Sequence, residues 1–413
     1  MELLLALILI AAAFYLYAEV AHRWMGVGSL AWGSRSSPKI ALTFDDGPGQ
    51  HTRSILELLR QHDLKATFFV LGSQADQHPE LLEAIRAEGH QLESHGQVHR
   101  PAFFLWPWQE ADSIGRVPGK LYRPPHGIHS PFTRLLARAA GKQVALWDVE
   151  SRDWTTQDPQ ALAERIVFWT RPGSVILLHD NSAFPQTLEI LRLILPRLKA
   201  AGYQPVRLDE MELRPVGWRE GLMRANQGGH EGYFLKHHVQ RLGYGVFDFL
   251  SYSKVPFPGP PQEGLAVGDV SLELHLDSVR TPAMAPMQTL RETQKGFRLL
   301  AERLEAMPEV KGLWGISQAA TALKVFGFNL APVTWHQRLI GGLASSWFLW
   351  LYKGELPKRS LPLAQLGYVT REDFLKKWGK KAGGKNREAE SRKAEDQSAV
   401  AGSKAEGQPD SAS

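Results

Sequence analysis

Residues 39–48 read KIALTFDDGP. The first six residues form an apolar run rich in β-forming residues, and two adjacent carboxylates, Asp45 and Asp46, come directly after it, just before a Gly-Pro turn. A short run of this kind, closed by turn-forming residues, is typical of a buried strand. The stretch therefore predicts a strand that delivers two acidic side chains to its carboxyl end.

The same unit recurs along the chain to about residue 208. Further predicted strands are residues 66–72, 91–94, 120–123, 143–147, 174–178 and 203–208. Predicted helices lie between several of them, at residues 52–61, 79–88, 131–140, 159–169 and 185–201. Alternation of strands and helices implies a largely parallel sheet. We therefore expect an α/β fold, in the form of a distorted (β/α) barrel.

Polar side chains stand at the ends of five of the predicted strands. They are Asp45 and Asp46, His95 and His99, Arg123, Asp148 to Trp154 with Glu150 and Asp153, and His179 with Asp180. The carboxyl ends of parallel barrel strands meet on one face, and such barrels have their active sites there. Each motif alone is common in ordinary turns and helix caps. All five together, in this order, predict one polar cleft.

The residue types in this cleft are those of metal-assisted acid–base chemistry. His95 and His99 are four residues apart, so a helical turn would place both rings on one face. One carboxylate would complete a facial metal site with open positions for water and substrate. Because Asp45 and Asp46 are adjacent, they point in different directions, and one can bind metal while the other acts as a base. His179 is a candidate acid.

Residues 39 to about 208 resemble the polysaccharide deacetylases of the NodB-homology, carbohydrate-esterase-4 type. The motifs that carry the resemblance are TFDDGP, ATFF, GHQLESH, RPPHG, DVESRDW and LLHD, in the usual order. The resemblance implies that Asp45 is the general base and that Asp46, His95 and His99 bind a divalent metal. Zinc is the default metal, and cobalt, nickel or iron would also fit this ligand set.

The resemblance implies roles for the remaining polar positions as well. Arg123 would steady Asp45, and Asp153 would orient His179 as the general acid. The residues that would contact the substrate are His126, through its backbone N–H at the oxyanion, and Trp154 and Leu177, which would line the acetyl pocket. Two positions depart from the family pattern. Gly96 stands where a hydroxyl residue usually comes after the first histidine, and residue 126 is usually Tyr.

The expected reaction is hydrolysis of N-acetyl groups on peptidoglycan or a chitin-like polysaccharide, with release of acetate. A lipid-linked amino sugar is an alternative substrate. Two other classes stay open at this point. An iron-dependent oxidase or oxygenase uses the same ligand set, and a non-catalytic glycan-binding protein would need no chemistry. The complete set of ligands and proton-transfer groups favours the hydrolase.

Length and composition set the outer limits. The chain has 413 residues and no cysteine, which excludes disulfides, thiolate metal sites and a cysteine nucleophile. A net charge of +5 is mild for this length and gives no reason to expect nucleic acid as a partner. The predicted parts are an N-terminal anchor or signal (1–25), the deacetylase domain (38–210), an accessory α+β domain (211–378) and a disordered tail (379–413).

Residues 3–18 form an unbroken apolar run, LLLALILIAAAFYLYA, without charge, Pro or Gly. The run is slightly short for a spanning helix, and it lacks the basic start and clean cleavage site of a signal peptide. We expect an uncleaved membrane anchor, with a cleaved signal as the alternative. Arg23 and Arg35 favour a cytoplasmic location for the chain after the run, whereas the chemistry favours the outside. We expect an extracytoplasmic catalytic domain at the cell membrane.

The accessory domain offers one further pair of candidate ligands. Glu273 and His275 alternate on a predicted strand and would share a face. A second metal or binding site is one interpretation, and side chains that are solvated or satisfied in the core are the other.

Overall fold

The computed structural model describes residues 2–155, 157–181, 186–243, 245, 248–276, 284–317, 320–333, 335, 343, 347, 350, 351 and 365–379. The tail predicted for residues 379–413 lies outside this set except for Gly379.

The apolar N-terminal run is helical. Helix α1 spans Glu2–Tyr17, and a π-helical turn over Ala18–Trp24 continues it; we call the latter the N-terminal segment. In the ranges described, no helix is both long enough and apolar enough to cross a membrane. The predicted transmembrane helix is therefore not supported.

A parallel sheet forms the centre of the first region. Its strands are β1 (Lys39–Asp45), β2 (Thr67–Val70), β3 (Gln91–Ser94), β4 (Leu121–Tyr122), β5 (Gln143–Val144), β6 (Val149–Glu150), β7 (Val175–His179) and β8 (Gln204–Val206). The order is β5-β4-β3-β2-β1-β7-β6, and β8 pairs with the first residues of β1. Every pairing in this sheet is parallel. The expected α/β fold is confirmed.

Seven helices connect these strands in the described part of the region. They are α2 (Thr52–Gln61), α3 (Gly72–Gln77), α4 (Pro79–Ala87), α5 (Pro107–Gly115), α6 (Thr133–Ala139), α7 (Pro159–Trp169) and α8 (Gln186–Ala200). Asp158 caps the start of α7: its carboxylate accepts hydrogen bonds from the backbone N–H groups of Gln160 and Ala161. Helices α3 and α5 and the two-residue strand β6 were not predicted, since each is short and lacks a clear apolar period.

The main core lies between the sheet and helices α2, α7 and α8. Strand β1 contributes Ile40, Leu42 and Phe44, all fully buried, and α8 contributes Ile190 and Ile194. Burial of each such side chain stabilises the fold by about 1.5–3 kcal/mol. Because alternate β1 residues face this core, the strand is fixed in register, and its last residue, Asp45, lies at the carboxyl end of the sheet.

The stretch between the N-terminal segment and β1 pairs beside β5, one edge strand of the sheet, and beside β7, the neighbour of the other edge strand. Leu30 forms a parallel bridge with Ala145, just after β5, and Trp32 forms an antiparallel bridge with Ser174, just before β7. The backbone N–H of Leu30 donates to the Val144 carbonyl over 2.8 Å. The stretch thus helps to curl the sheet towards a barrel.

The second region is built on a mixed sheet, as the predicted α+β class requires. Its strands are β9 (Gln240–Arg241), β10 (Leu250–Pro256), β11 (Val270–Leu276), β12 (Gly312–Ser317), β13 (Asn329–Ala331) and β14 (Gln365–Thr370), in the order β13-β14-β12-β11-β10-β9. The helices are α9 (Trp218–Lys236), α10 (Pro286–Glu305), α11 (Ala320–Leu323) and α12 (Arg371–Trp378). Phe297 and Leu300 of α10 pack on Leu272 and Leu313 of the sheet.

Candidate active site

A cavity of about 510 Å³ opens at the carboxyl ends of the parallel strands. Its wall contains the predicted metal ligands, base, acid and substrate-contacting residues, together with four others. The lining residues are Arg23, Asp45, Asp46, His95, His99, His126, Trp147, Glu150, Trp154, Leu177, His179 and Asn181. The two remaining predicted residues, Arg123 and Asp153, are completely buried behind the wall. The structure therefore brings all predicted site residues together.

Asp46, His95 and His99 form one compact group. The Oδ1 atom of Asp46 lies 3.2 Å from Nε2 of His95 and 3.2 Å from Nε2 of His99. One ligand atom from each residue lies within 4.8 Å of the other two. The backbone of Asp46 is left-handed, with φ of 74°, which turns its side chain away from that of Asp45. Among the described residues these three are the single group of this size that could hold a metal.

The surroundings of this group fit a divalent metal. Oδ1 of Asp46 is buried and makes no well-directed hydrogen bond with any described residue. The Nδ1 atom of His95 lies 2.8 Å from the Arg123 carbonyl, to which it donates as Nδ1–H. That bond fixes the tautomer and leaves the Nε2 lone pair facing the group, an arrangement common to metal-binding histidines.

The two carboxylate oxygens of Asp45 face different neighbours. Its Oδ1 accepts a hydrogen bond of 2.8 Å from Nη1 of Arg123, which also donates to the Thr43 hydroxyl over 2.8 Å. Nη2 of Arg123 donates to the Leu146 carbonyl over 3.0 Å. Oδ2 of Asp45 lies 3.8 Å from Nε2 of His95. The buried guanidinium therefore orients Asp45 and leaves one carboxylate oxygen at the metal group.

His179 and Asp153 form a second ion pair, at the end of β7, where His179 is the register partner of Asp45. Nδ1 of His179 donates to Oδ1 of Asp153 over 2.7 Å, and the Thr187 hydroxyl donates to Oδ2 over 2.7 Å. Burial alone would lower the pKa of His179, but the Asp153 carboxylate outweighs it and raises the pKa to about 9. Asp153 therefore favours the protonated form of His179, which is the form that a general acid needs.

His126 sits in a strained turn over Pro125–Gly127, with a left-handed φ of 58°. Its ring lies 4.1 Å from the His99 ring, measured between centroids. No hydrogen bond from its backbone N–H to another described residue is found. An unpartnered N–H beside a metal group is available to a substrate carbonyl.

Two apolar side chains complete the predicted acetyl pocket. Trp154 is edge-on to His179, with ring centroids 5.0 Å apart and planes at 81°. Leu177 is buried in the wall. Both lie in the same cavity as the proton-transfer groups, as predicted.

The departure at Gly96 has a structural reason. Gly96 has φ of 92°, and a Cβ atom there would lie 2.8 Å from the Ser113 hydroxyl oxygen. That oxygen accepts a hydrogen bond of 2.7 Å from the Gln97 backbone N–H. The Ser113 hydroxyl, on the unpredicted helix α5, therefore occupies space that a side chain at position 96 would need.

The sequence interpretation missed three of the residues that line the cavity. Trp147 and Asn181 directly adjoin recognised motifs, so proximity was an available signal. Arg23 had no such signal, because it contacts His126 across 103 positions of sequence. Glu273 and His275, considered for a second metal site, belong to no group of three or more candidate ligands among the described residues, and Nε2 of His275 lies 3.0 Å from the Ser253 hydroxyl.

Comparisons with known proteins match the first region. The sequence profile of the family described as polysaccharide deacetylase matches residues 33–145. A peptidoglycan-N-acetylglucosamine deacetylase of Bacillus cereus is 32% identical over 200 residues, which make up 45% of this chain and 93% of that protein. A chitooligosaccharide deacetylase of Bradyrhizobium is 30% identical over 196 residues, or 42% of this chain and 88% of that protein.

Two further comparisons cover a similar span. The peptidoglycan-N-acetylglucosamine deacetylase PgdA of Listeria monocytogenes is 32% identical over 191 residues, which are 43% of this chain and only 40% of that relative's length. A crystal structure of a peptidoglycan N-acetylglucosamine deacetylase is 29% identical, covers 45% of this chain and 93% of that one, and has a TM-score of 0.43. Since the Bacillus relative is matched over almost its whole length, this chain belongs to the polysaccharide deacetylase family.

Proposed function

We propose that this chain hydrolyses N-acetyl groups on a cell-wall or related N-acetylhexosamine polysaccharide, such as peptidoglycan or a chitin-like polymer, and releases acetate. One observation carries the proposal. Asp45, which is paired with Arg123, and His179, which is paired with Asp153, line the same cavity as the metal-binding group. A base and an acid that face the same cavity are what amide hydrolysis requires.

The chain's own residues account for the proton transfers. Asp45, oriented by its hydrogen bond from Arg123, accepts the proton of the water that attacks the acetyl carbon. The N–H of His126 donates to the carbonyl oxygen as negative charge develops on it. His179 then gives its proton to the departing amine, and Asp153 stabilises its charged form beforehand. A free amino sugar and acetate are the products.

The proposed metal is zinc, held by Asp46, His95 and His99, with cobalt, nickel or iron as substitutes. When bound, a divalent ion in this position supplies Lewis-acid polarisation of the carbonyl and a more acidic water. The hydrogen bond from His95 to the Arg123 carbonyl orients that ligand in advance.

The glycan substrate is proposed from the family and from the cavity. Trp154 and Leu177 give an apolar pocket that suits the methyl group of an acetamide. Because an N-acetylated wall polymer lies outside the cytoplasm, we propose an extracytoplasmic catalytic domain. A lipid-linked amino sugar with the same acetamide is the alternative substrate.

Acetate release from peptidoglycan, chitooligosaccharides and acetylated xylan, measured side by side with the metal-loaded protein, tests the proposal. We expect acetate from at least one N-acetylated glycan, and none from the chelated protein until metal is restored. The reaction should proceed equally well without oxygen. A dependence on oxygen would indicate the oxidase alternative, and glycan binding without acetate release would indicate a non-catalytic binder.

A further inference from the structure

Arg23 belongs to the N-terminal segment, yet it lies in the wall of the catalytic cavity. Its Nε donates a hydrogen bond of 3.2 Å to the backbone carbonyl of His126. Arg23 precedes residues 33–145, the span that matches the family profile. A residue from outside the matched profile therefore contacts the residue whose backbone N–H is the proposed oxyanion donor.

The His126 backbone needs such support. A left-handed conformation costs a non-glycine residue on the order of 1–3 kcal/mol, and His126 has φ of 58°. Only the torsions φ and ψ at the α-carbon of His126 separate its N–H from its carbonyl. A hydrogen bond that holds the carbonyl therefore limits rotation of the N–H. Without that bond, the turn can relax and the N–H can turn away from the substrate.

Arg23 is itself held at both ends. Its side chain pairs with Glu19, one helical turn earlier. Its carbonyl accepts a hydrogen bond of 2.9 Å from Nη1 of Arg224, on helix α9. Gly26 leaves room for that guanidinium, since a Cβ atom there would lie 2.5 Å from the same Nη1. Contacts therefore run without interruption from α9 through the N-terminal segment to His126.

We infer that Arg23 is a positioning residue for the oxyanion-binding N–H of His126, and that α9 holds it in place through Arg224. This inference rests on the proposed deacetylase function and gives the residues that flank the catalytic domain a part in its chemistry. Arg23 acts on the transition state through His126, because the hydrogen bond that this N–H donates strengthens as the carbonyl oxygen gains charge.

The test uses Arg23→Met in the full chain, which keeps the length of the side chain and removes the donor. Loss of one oxyanion donor lowers kcat by about 10²–10³, so a donor that is only misplaced should lower it by about 10–100-fold. We expect KM to change less than about two-fold, since ground-state binding is unaffected. Metal content should match wild type. Arg23→Lys, which restores a donor, should recover part of the lost kcat.

Arg224→Met removes the hydrogen bond to the Arg23 carbonyl. It should also lower kcat, but by a smaller factor than Arg23→Met does. The matched control is Arg219→Met, on the same helix, whose guanidinium lies at the surface near Glu220; its kcat should equal wild type. If Arg23→Met does not fold, Arg224→Met decides by the same split between kcat and KM.

A folded, metal-loaded Arg23→Met protein with wild-type kcat would overturn the inference and leave the deacetylase function standing. Loss of metal together with kcat would also overturn it, because a positioning role leaves the ligands in place. Failure of the wild-type protein to release acetate from any glycan would instead overturn the proposed function itself.

Discussion

Asp45 and Asp46 are neighbours in the chain, but their carboxylates have different closest partners. Asp45 accepts a 2.8 Å hydrogen bond from Arg123, whereas Asp46 lies 3.2 Å from the Nε2 atoms of His95 and His99. The left-handed backbone at Asp46 produces the divergence. Two identical side chains can therefore perform two different functions, one as a base and one as a metal ligand.

The ion pair between His179 and Asp153 predicts the alkaline side of the pH profile. Asp153 raises the pKa of His179 to about 9, and a bound cation can only lower it, so kcat should fall as the pH rises through a value no higher than about 9. Asp153→Asn removes the carboxylate and should move this limb to lower pH. The measurement is kcat against pH for both metal-loaded proteins. If kcat fell over the same alkaline pH range in wild type and Asp153→Asn, the role of Asp153 would be contradicted.

The same pair predicts that the free energy of unfolding falls as the pH rises. The folded-state pKa of His179 lies above its ordinary value of 6.5. Its contribution to the free energy of unfolding is therefore complete below about pH 6.5 and is lost as the pH rises through about 9. Wild type should lose more stability than His179→Gln across that window, as measured by urea unfolding. A parallel loss in both proteins would show that the pair contributes nothing.

The proposed role of His179 is to protonate the leaving group. His179→Ala should retain its metal and lose on the order of 10²–10⁴ in rate on an N-acetylated glycan, the usual effect of a positioned acid. On 4-nitrophenyl acetate, whose phenolate leaves without a proton, the loss should be much smaller. Asp45→Asn is the control and should lose rate on both substrates, because water attack still needs a base. Equal losses for His179→Ala on the two substrates would contradict its assignment as the acid.

Gly96 gives a prediction about stability at the metal site. Gly96→Ala places a Cβ atom against the Ser113 hydroxyl in a left-handed backbone, and it should lower the free energy of unfolding by about 1–3 kcal/mol. Gly115→Ala is the matched control, because nothing lies within 4 Å of its added Cβ and its φ is ordinary. Urea unfolding of both variants decides. A Gly96→Ala protein as stable as wild type would contradict this account.

The parallel sheet and the site could be predicted from sequence because local signals coincide. Asp45 ends an apolar strand and His179 ends another, and in a parallel sheet the ends of β1 and β7 are paired neighbours. Helix α5 and its Ser113 were missed because the helix is short and mixed in composition. Arg23 was missed for a different reason: its contact with His126 depends on how two distant turns pack, which no local pattern encodes.

The central claim is that Asp46 binds the metal while Asp45 is the base, and metal content measured together with rate on purified variants tests it most directly. Asp46→Asn should bind metal weakly, because an amide oxygen is a poorer ligand than a carboxylate, and His99→Ala should behave the same way. Asp45→Asn should keep its metal and lose on the order of 10²–10⁴ in kcat. If Asp45→Asn lost the metal while Asp46→Asn kept it, the two assignments would be reversed; if both kept full activity, hydrolysis at this site would be wrong.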